Sequence, residues 1–191
     1  MKSPKHLLWV DLEMTGLRPA TDVITEIAAI ITDMELREVA CYESGVKHPR
    51  ELLEKLTGES EWHRRQKSYT EAIIEHSLQG KSEEVVQSEL LDFIERNIGL
   101  SMIPEAYPFT PGSLEAKGEI YLAGNSIGAD RAFIESRWPK VARVLHYRMV
   151  DVSSFKVWYE AHGAKKFEKK NKHRALDDIR ESISEFASYV K

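Results

Sequence analysis

The hydrophobic and polar positions change period along the chain, and the order of the changes predicts strands first, then helices mixed with strands. Residues 6–12, with the run Leu-Leu-Trp-Val, read as a buried strand. Residues 23–33, "VITEIAAIITD", and 37–46, "REVACYESGV", read as two more strands joined by a hairpin near "DMEL". Between the first two, "MTGLRPATD" carries Gly16 and Pro19 and reads as a turn. Over 82–98, Val86, Leu90, Ile94 and Ile98 recur every four residues with polar residues between, which predicts an amphipathic helix. Residues 99–118 hold Pro104, Pro108, Pro111, Gly112 and Gly118 and read as a long loop. "EIYLAGN" then predicts a short strand, "DRAFIESRWP" a helix stopped by Pro139, "YRMVDV" a further strand, and "SSFKVWYEAHG" a helix closed by Gly163. The last helix spans about 174–190, with Leu176, Ile179, Ile183, Phe186 and Val190 as its docking face. With no internal repeat and no linker, this order predicts one α/β domain over 1–191 with a mixed sheet.

Composition narrows the classes. A chain of 191 residues can bury a sizeable core, and 42% hydrophobic with 30% charged residues excludes an unfolded polar chain. The formal net charge of −4 means that a polyanionic partner must be met by a local patch or by cations, not by overall charge. A single cysteine, Cys41, excludes an intrachain disulfide and a cysteine-based zinc site. The first apolar run is broken by Asp11 and is too short for a signal peptide or a membrane span. The expectation is a cytoplasmic protein with no membrane partner; an organelle signal in a longer precursor would lie outside this sequence.

Acids sit where the pattern predicts ordered positions. Asp11 and Glu13 are two apart on a strand, so they share a face. Asp130 begins a helix after a polar turn, and Asp178 lies in the first turn of the last helix. Each of the last two, taken alone, reads first as a helix cap or a dipole partner, and Asp177 suits that role better than Asp178. Gathered at one place, the four carboxylates would repel one another unless they shared divalent cations. Oxygen-only ligands select Mg²⁺ or Mn²⁺ over zinc. Two such ions can activate a water and stabilise the leaving oxygen of a phosphodiester. His173 precedes Asp178 by five residues, a rotation of about 140° on a helix, so it must sit in the loop or at the helix edge to serve the same place. A neutral imidazole there can take the proton of the attacking water. Five lysines between 165 and 172 read as a solvated loop or as a lip that attracts phosphate.

The segments "VDLEMTGL", "GNSIGADRAFI" and "HRALDDIRES" resemble the three exonuclease motifs of the DEDDh superfamily of DnaQ-like 3′→5′ exonucleases. "AGNS" and "LHYRMVDVSS" bring the resemblance closer, to the oligoribonuclease family, in collinear order from about residue 6 to 190. The resemblance implies an RNase H-like fold, a five-stranded mixed sheet flanked by helices. It implies Asp11, Glu13, Asp130 and Asp178 as metal ligands for two Mg²⁺ or Mn²⁺ ions and His173 as general base. It implies Leu17 and Trp62 as apolar surfaces for the bases, where stacking tolerates any sequence. It also implies Ser126, Arg148 and Ser153 as a cap on the substrate's 5′ end, and a homodimer in which Tyr147 serves the partner's site. The implied activity is 3′→5′ hydrolysis of very short RNA, dinucleotides in particular, to nucleoside 5′-monophosphates. "HRRQKSYTEAI", after Trp62, is shorter than the family's stretch there, and the 99–118 loop is longer than in bacterial members.

Three rivals remain at this level. A DEDDh exonuclease acting on longer RNA or DNA would lack the "HYR" cap. A catalytically inactive nucleic-acid-binding module would not need all five motif residues. A purely structural α/β domain leaves the acid pattern unexplained.

Overall fold

The computed structural model describes residues 4–98, 120–163, 166–167 and 175–190. The chain runs β1 (His6–Met14), β2 (Ile24–Asp33), β3 (Glu38–Gly45), α1 (Arg50–Glu59), α2 (Glu61–Arg65), α3 (Lys67–Leu78) and α4 (Glu83–Ile98). It continues through β4 (Ile120–Gly124), α5 (Gly128–Arg137), α6 (Pro139–Ala142), β5 (Leu145–Asp151), α7 (Val152–Ala161) and α8 (Ala175–Val190). The five strands lie in the order β3-β2-β1-β4-β5. β1 pairs antiparallel with β2, β2 antiparallel with β3, β1 parallel with β4, and β4 parallel with β5. This is the five-stranded mixed sheet flanked by helices that the resemblance implies.

β1 is buried on both sides because helices cover both faces of the sheet. Leu8, Val10 and Leu12 face the cluster of α4, α5 and α6, with Val86, Leu90, Ile94, Phe133, Ile134 and Trp138. Leu7 and Trp9 face the opposite cluster, where Ala175, Ile179 and Tyr189 of α8 pack with Val152 of α7. A small third cluster of Val23, Leu53, Leu56 and Ile74 holds α1 and α3 beside β2. Asp33 makes the predicted hairpin: its carboxylate accepts from the amides of Glu35 and Arg37, and Leu36 takes φ 65°.

Some expectations change. The stretch 47–81, for which the apolar pattern assigns no element, holds α1, α2 and α3. These helices bury only a few side chains each, against a satellite cluster rather than the main core. Pro139 does more than stop a helix: α5 ends at Arg137 and Pro139 opens α6, where a missing N–H costs nothing. β5 begins at Leu145, two residues earlier than the pattern places it. The seam of α8 is also turned. Ala175, Ile179, Ser182, Glu185 and Tyr189 are its buried positions, Leu176, Ile183 and Phe186 flank them, and Val190 is exposed. The loop at 99–118 lies outside the described residues, as do the lysines at 165, 169, 170 and 172.

Candidate active site

The sheet places one acid pair at the far end of its central strand. β4 pairs with β1 only from Leu7 to Trp9, while β1 continues to Met14. Asp11 and Glu13 lie on that extension, on the same face as Leu7 and Trp9, and both are half-buried. Beyond β4 the ladder position beside β1 is taken by a side chain. The Leu12 amide donates to Asp130 Oδ1 at 3.0 Å, across 118 residues of sequence. Asp130 is the third residue of α5, buried to 7% exposure, and so is not a solvent-facing cap. Burial is the main cause that pushes its carboxyl up to about 7; the charges of Glu13 and Asp151 add to it, and the backbone bonds from Leu12 and from its own amide oppose it. The structure thus puts Asp130 within electrostatic reach of Glu13.

β4 reaches this place because its last residue has no side chain: a Cβ on Gly124 would lie 3.0 Å from the Val10 carbonyl oxygen. The chain then turns through Asn125 and Ser126, which sits at φ 51°, a strained region for serine. Two acceptors hold it there. The Ser126 amide donates to Asp151 Oδ1 at 3.0 Å and to Ser153 Oγ at 2.9 Å, and the two serine hydroxyls are 3.1 Å apart. Ser126 and Ser153 are therefore brought together. Arg148 lies exposed on β5, with its guanidinium 5.2 Å from the ring centroid of Tyr147. Tyr147 stacks on His146, which stacks on Tyr121, so these rings form a pile along the open edge of the sheet.

Leu17 and Trp62 also meet. A cavity of about 600 Å³ is lined by Leu17, Trp62 and His63 together with Glu13, Met14 and Arg18. Leu17 is 80% and Trp62 54% exposed, so neither is a core residue. Two histidine bonds fix the wall: His63 Nε2 pairs with the Met14 carbonyl at 3.0 Å and Nδ1 with Thr70 Oγ1 at 3.1 Å. Tyr69, which the sequence reading passed over, packs edge-on against Trp62 at 5.3 Å. Its hydroxyl bonds to Glu13; burial first, then Glu13 and Asp11, push that hydroxyl well above the ordinary tyrosine range. A tyrosine after the tryptophan is the only signal the sequence carries for it.

Asp178 lies in the first turn of α8, as expected, on the stripe that continues through Ser182 and Glu185. Asp177 is turned away, 3.9 Å from Arg180. His173 lies outside the described residues.

The donor set suits hard divalent cations. All four candidate ligands are carboxylates, Asp130 is buried with its charge opposed by Glu13, and no thiol or described imidazole joins them. Among the described residues, no three acids or histidines converge into a closed metal cage.

Comparison with known proteins identifies the family. The exonuclease family model of RNase T matches residues 8–99 and 109–186. An oligoribonuclease of Francisella tularensis (strain FSC 198) is 38% identical over 193 residues, covering 99% of this chain and 96% of that protein. One of Ectopseudomonas mendocina is 35% identical over 192 residues, with the same coverage. Product-bound exonuclease I superposes with a TM-score of 0.57 at 13% identity, over 99% of this chain but 44% of that one. The metal-free E. coli exonuclease I complex with single-stranded DNA gives 0.56 at 13% identity, over 98% and 40%. At that identity these structures speak for the fold alone, and the chain spans less than half of their length. Fold, acid placement and full-length relatives converge: the chain belongs to the RNase T exonuclease family and, within it, to the oligoribonucleases, and it is a nuclease.

Proposed function

We propose that this chain is a 3′→5′ exoribonuclease that hydrolyses very short RNA, dinucleotides above all, to nucleoside 5′-monophosphates. One observation carries the reading. Glu13 and the apolar faces of Leu17 and Trp62 line one cavity of about 600 Å³, so an acid of the site and a place for a base lie side by side. A base clamped between Leu17 and Trp62 is held by stacking, without regard to its identity. Asp11, Glu13, Asp130 and Asp178 would hold the divalent ions, Mg²⁺ or Mn²⁺. Those ions, when bound, supply a strong nucleophile from water and a counter-charge for the departing 3′ oxygen. His173 takes the proton of the attacking water on a ring nitrogen.

Ser126, Ser153 and Arg148 receive the 5′ end. The paired hydroxyls and a guanidinium suit a phosphate, and a phosphate held there would end the site at the substrate's 5′ terminus. A second copy of the chain completes the site. Along the open β5 edge, Met149 of β5 and Val157 and Trp158 of α7 are exposed, and the stack ending in Tyr147 faces the same edge. A two-fold pair would carry Tyr147 to the partner's substrate. Among the described residues, no helix is long and apolar enough to cross a membrane.

The test is a length series: 5′-labelled RNAs from two to ten nucleotides, with initial rates in Mg²⁺. The expected result is a steep fall from the 5′-phosphorylated dinucleotide upward, largely erased by Arg148→Ala. Equal rates at all lengths in the native protein would instead favour an exonuclease for long strands.

A further inference from the structure

α8 carries two polar residues in a seam where apolar ones would pack without cost. Glu185 is fully buried and Ser182 nearly so. Burying such groups is unfavourable unless every one is bonded. Tyr189 donates its hydroxyl to Glu185 at 3.0 Å, and Lys156 lies 3.6 Å from the same carboxylate. A further partner comes from the end of β4. Asn125 Nδ2 donates to Ser182 Oγ at 2.7 Å and to Glu185 Oε2 at 3.3 Å. Its Oδ1 accepts from Ser153 Oγ at 3.4 Å.

The chemistry fixes the direction of these bonds. A carboxylate only accepts, so the Asn125 nitrogen, not its oxygen, must face Glu185. The Ser182 hydroxyl has one proton and gives it to the Asp178 carbonyl at 2.9 Å. Ser182 can therefore only accept from Asn125. A directed path results, from the Asn125 amide through Ser182 to the backbone of Asp178. On its other side Asn125 touches Ser153, which holds the Ser126 amide.

We propose that Asn125 is a positioning residue that, through Ser182, fixes Asp178 relative to the serine pair that receives the substrate's 5′ end. The inference rests on the reading above, in which Asp178 serves the chemistry and Ser126 and Ser153 the 5′ end. In a dinucleotide those two points are one nucleotide apart, so an enzyme for it must hold both ends of its site in fixed relation. An apolar seam would pack α8 on the sheet without tying its first turn to the residue that touches Ser153.

Ser182→Ala removes only the relay and leaves Asn125 bonded to Glu185. It removes one neutral hydrogen bond and is expected to lower Tm by only a few degrees, with the protein still fully folded at the assay temperature. Its kcat on the 5′-phosphorylated dinucleotide should fall roughly ten- to a hundredfold, and its affinity for Mn²⁺, titrated by calorimetry without substrate, should fall as well. Its KM should stay within about twofold. A second arm combines Asn125→Asp with Glu185→Gln. Asn125→Asp alone sets a half-buried carboxylate against the buried Glu185 and should lower Tm. The pair restores a bond by letting the glutamine amide donate to the new carboxylate, yet Ser182 must now choose between that carboxylate and Asp178. Recovered Tm with kcat still low supports the proposal; recovery of both overturns it. So does a Ser182→Ala protein with native kcat and Mn²⁺ affinity, or one whose loss lies in KM alone. If the paired variant does not fold, Ser182→Ala decides by itself. A native protein inert on dinucleotides would reject the underlying reading, independently of the variants.

Discussion

Asp130→Asn should make the metal-free protein more stable while destroying its activity. The substitution keeps an oxygen for the Leu12 amide, 3.0 Å away, and removes a buried charge. Asp130 titrates at about 7 instead of 3.8, chiefly because burial disfavours its ionised form. The folded chain therefore keeps this proton to higher pH than the unfolded chain does. Stability is lost as pH rises from about 4 to about 7, and no more is lost above that. At about 1.4 kcal/mol per pH unit, the gap amounts to roughly 4 kcal/mol at pH 8. The new amide nitrogen opposes the residue's own N–H, which returns about 1 kcal/mol. The net gain of about 3 kcal/mol corresponds to about 6–12 °C in Tm for a chain of this length. Urea denaturation in EDTA at pH 4, 6 and 8 measures it: the advantage of the variant should be absent at pH 4 and full at pH 8. Saturating Mn²⁺ should narrow the gap by stabilising the native protein alone. A variant no more stable than the native protein at pH 8, or an advantage independent of pH, would refute the argument.

Asp178→Ala should leave only trace turnover with the fold intact, whereas Asp177→Ala should be mild; circular dichroism and initial rates decide, and the reverse pattern would mean that α8 is read one residue out of register. His63 is held neutral because burial lowers its pKa, so its contribution is present above about 6.5 and is lost as pH falls through that value. His63→Gln should flatten that part of the acid loss between pH 7 and 5 in urea titrations, and an unchanged slope would remove His63 as its source. Asp11→Ala and Tyr147→Ala should each be impaired alone, yet subunit exchange between them should restore roughly a quarter of native activity, because half the dimers are mixed and each has one whole site. Heterodimers proven by two tags but lacking that activity would reject the shared site.

Local pattern alone placed the first acid pair. The run before Asp11, and the spacing of two between Asp11 and Glu13, put both acids on one face at the end of a buried strand, because strand side chains alternate whatever lies around them. The apolar positions of α4 named its buried face for the same reason: Val86, Leu90 and Ile94 are all in the core. The helices from Arg50 to Leu78 left little trace, since they bury few side chains and their ends are set by single residues such as Ser60, whose hydroxyl accepts from His63. Periodicity records how a segment meets the core, not which distant polar group meets it. Asp130 looked like a helix cap until β4 stopped short of β1 and left the Leu12 amide for it to accept. In the same way α8 presents Ser182 and Glu185 to the interior and leaves Val190 exposed, because Asn125, some sixty residues earlier, supplies the bonds that make burial of those groups tolerable. A sequence shows which residues can bury themselves unaided; for a buried polar group the permission comes from a partner that only the tertiary fold brings within 3 Å or so.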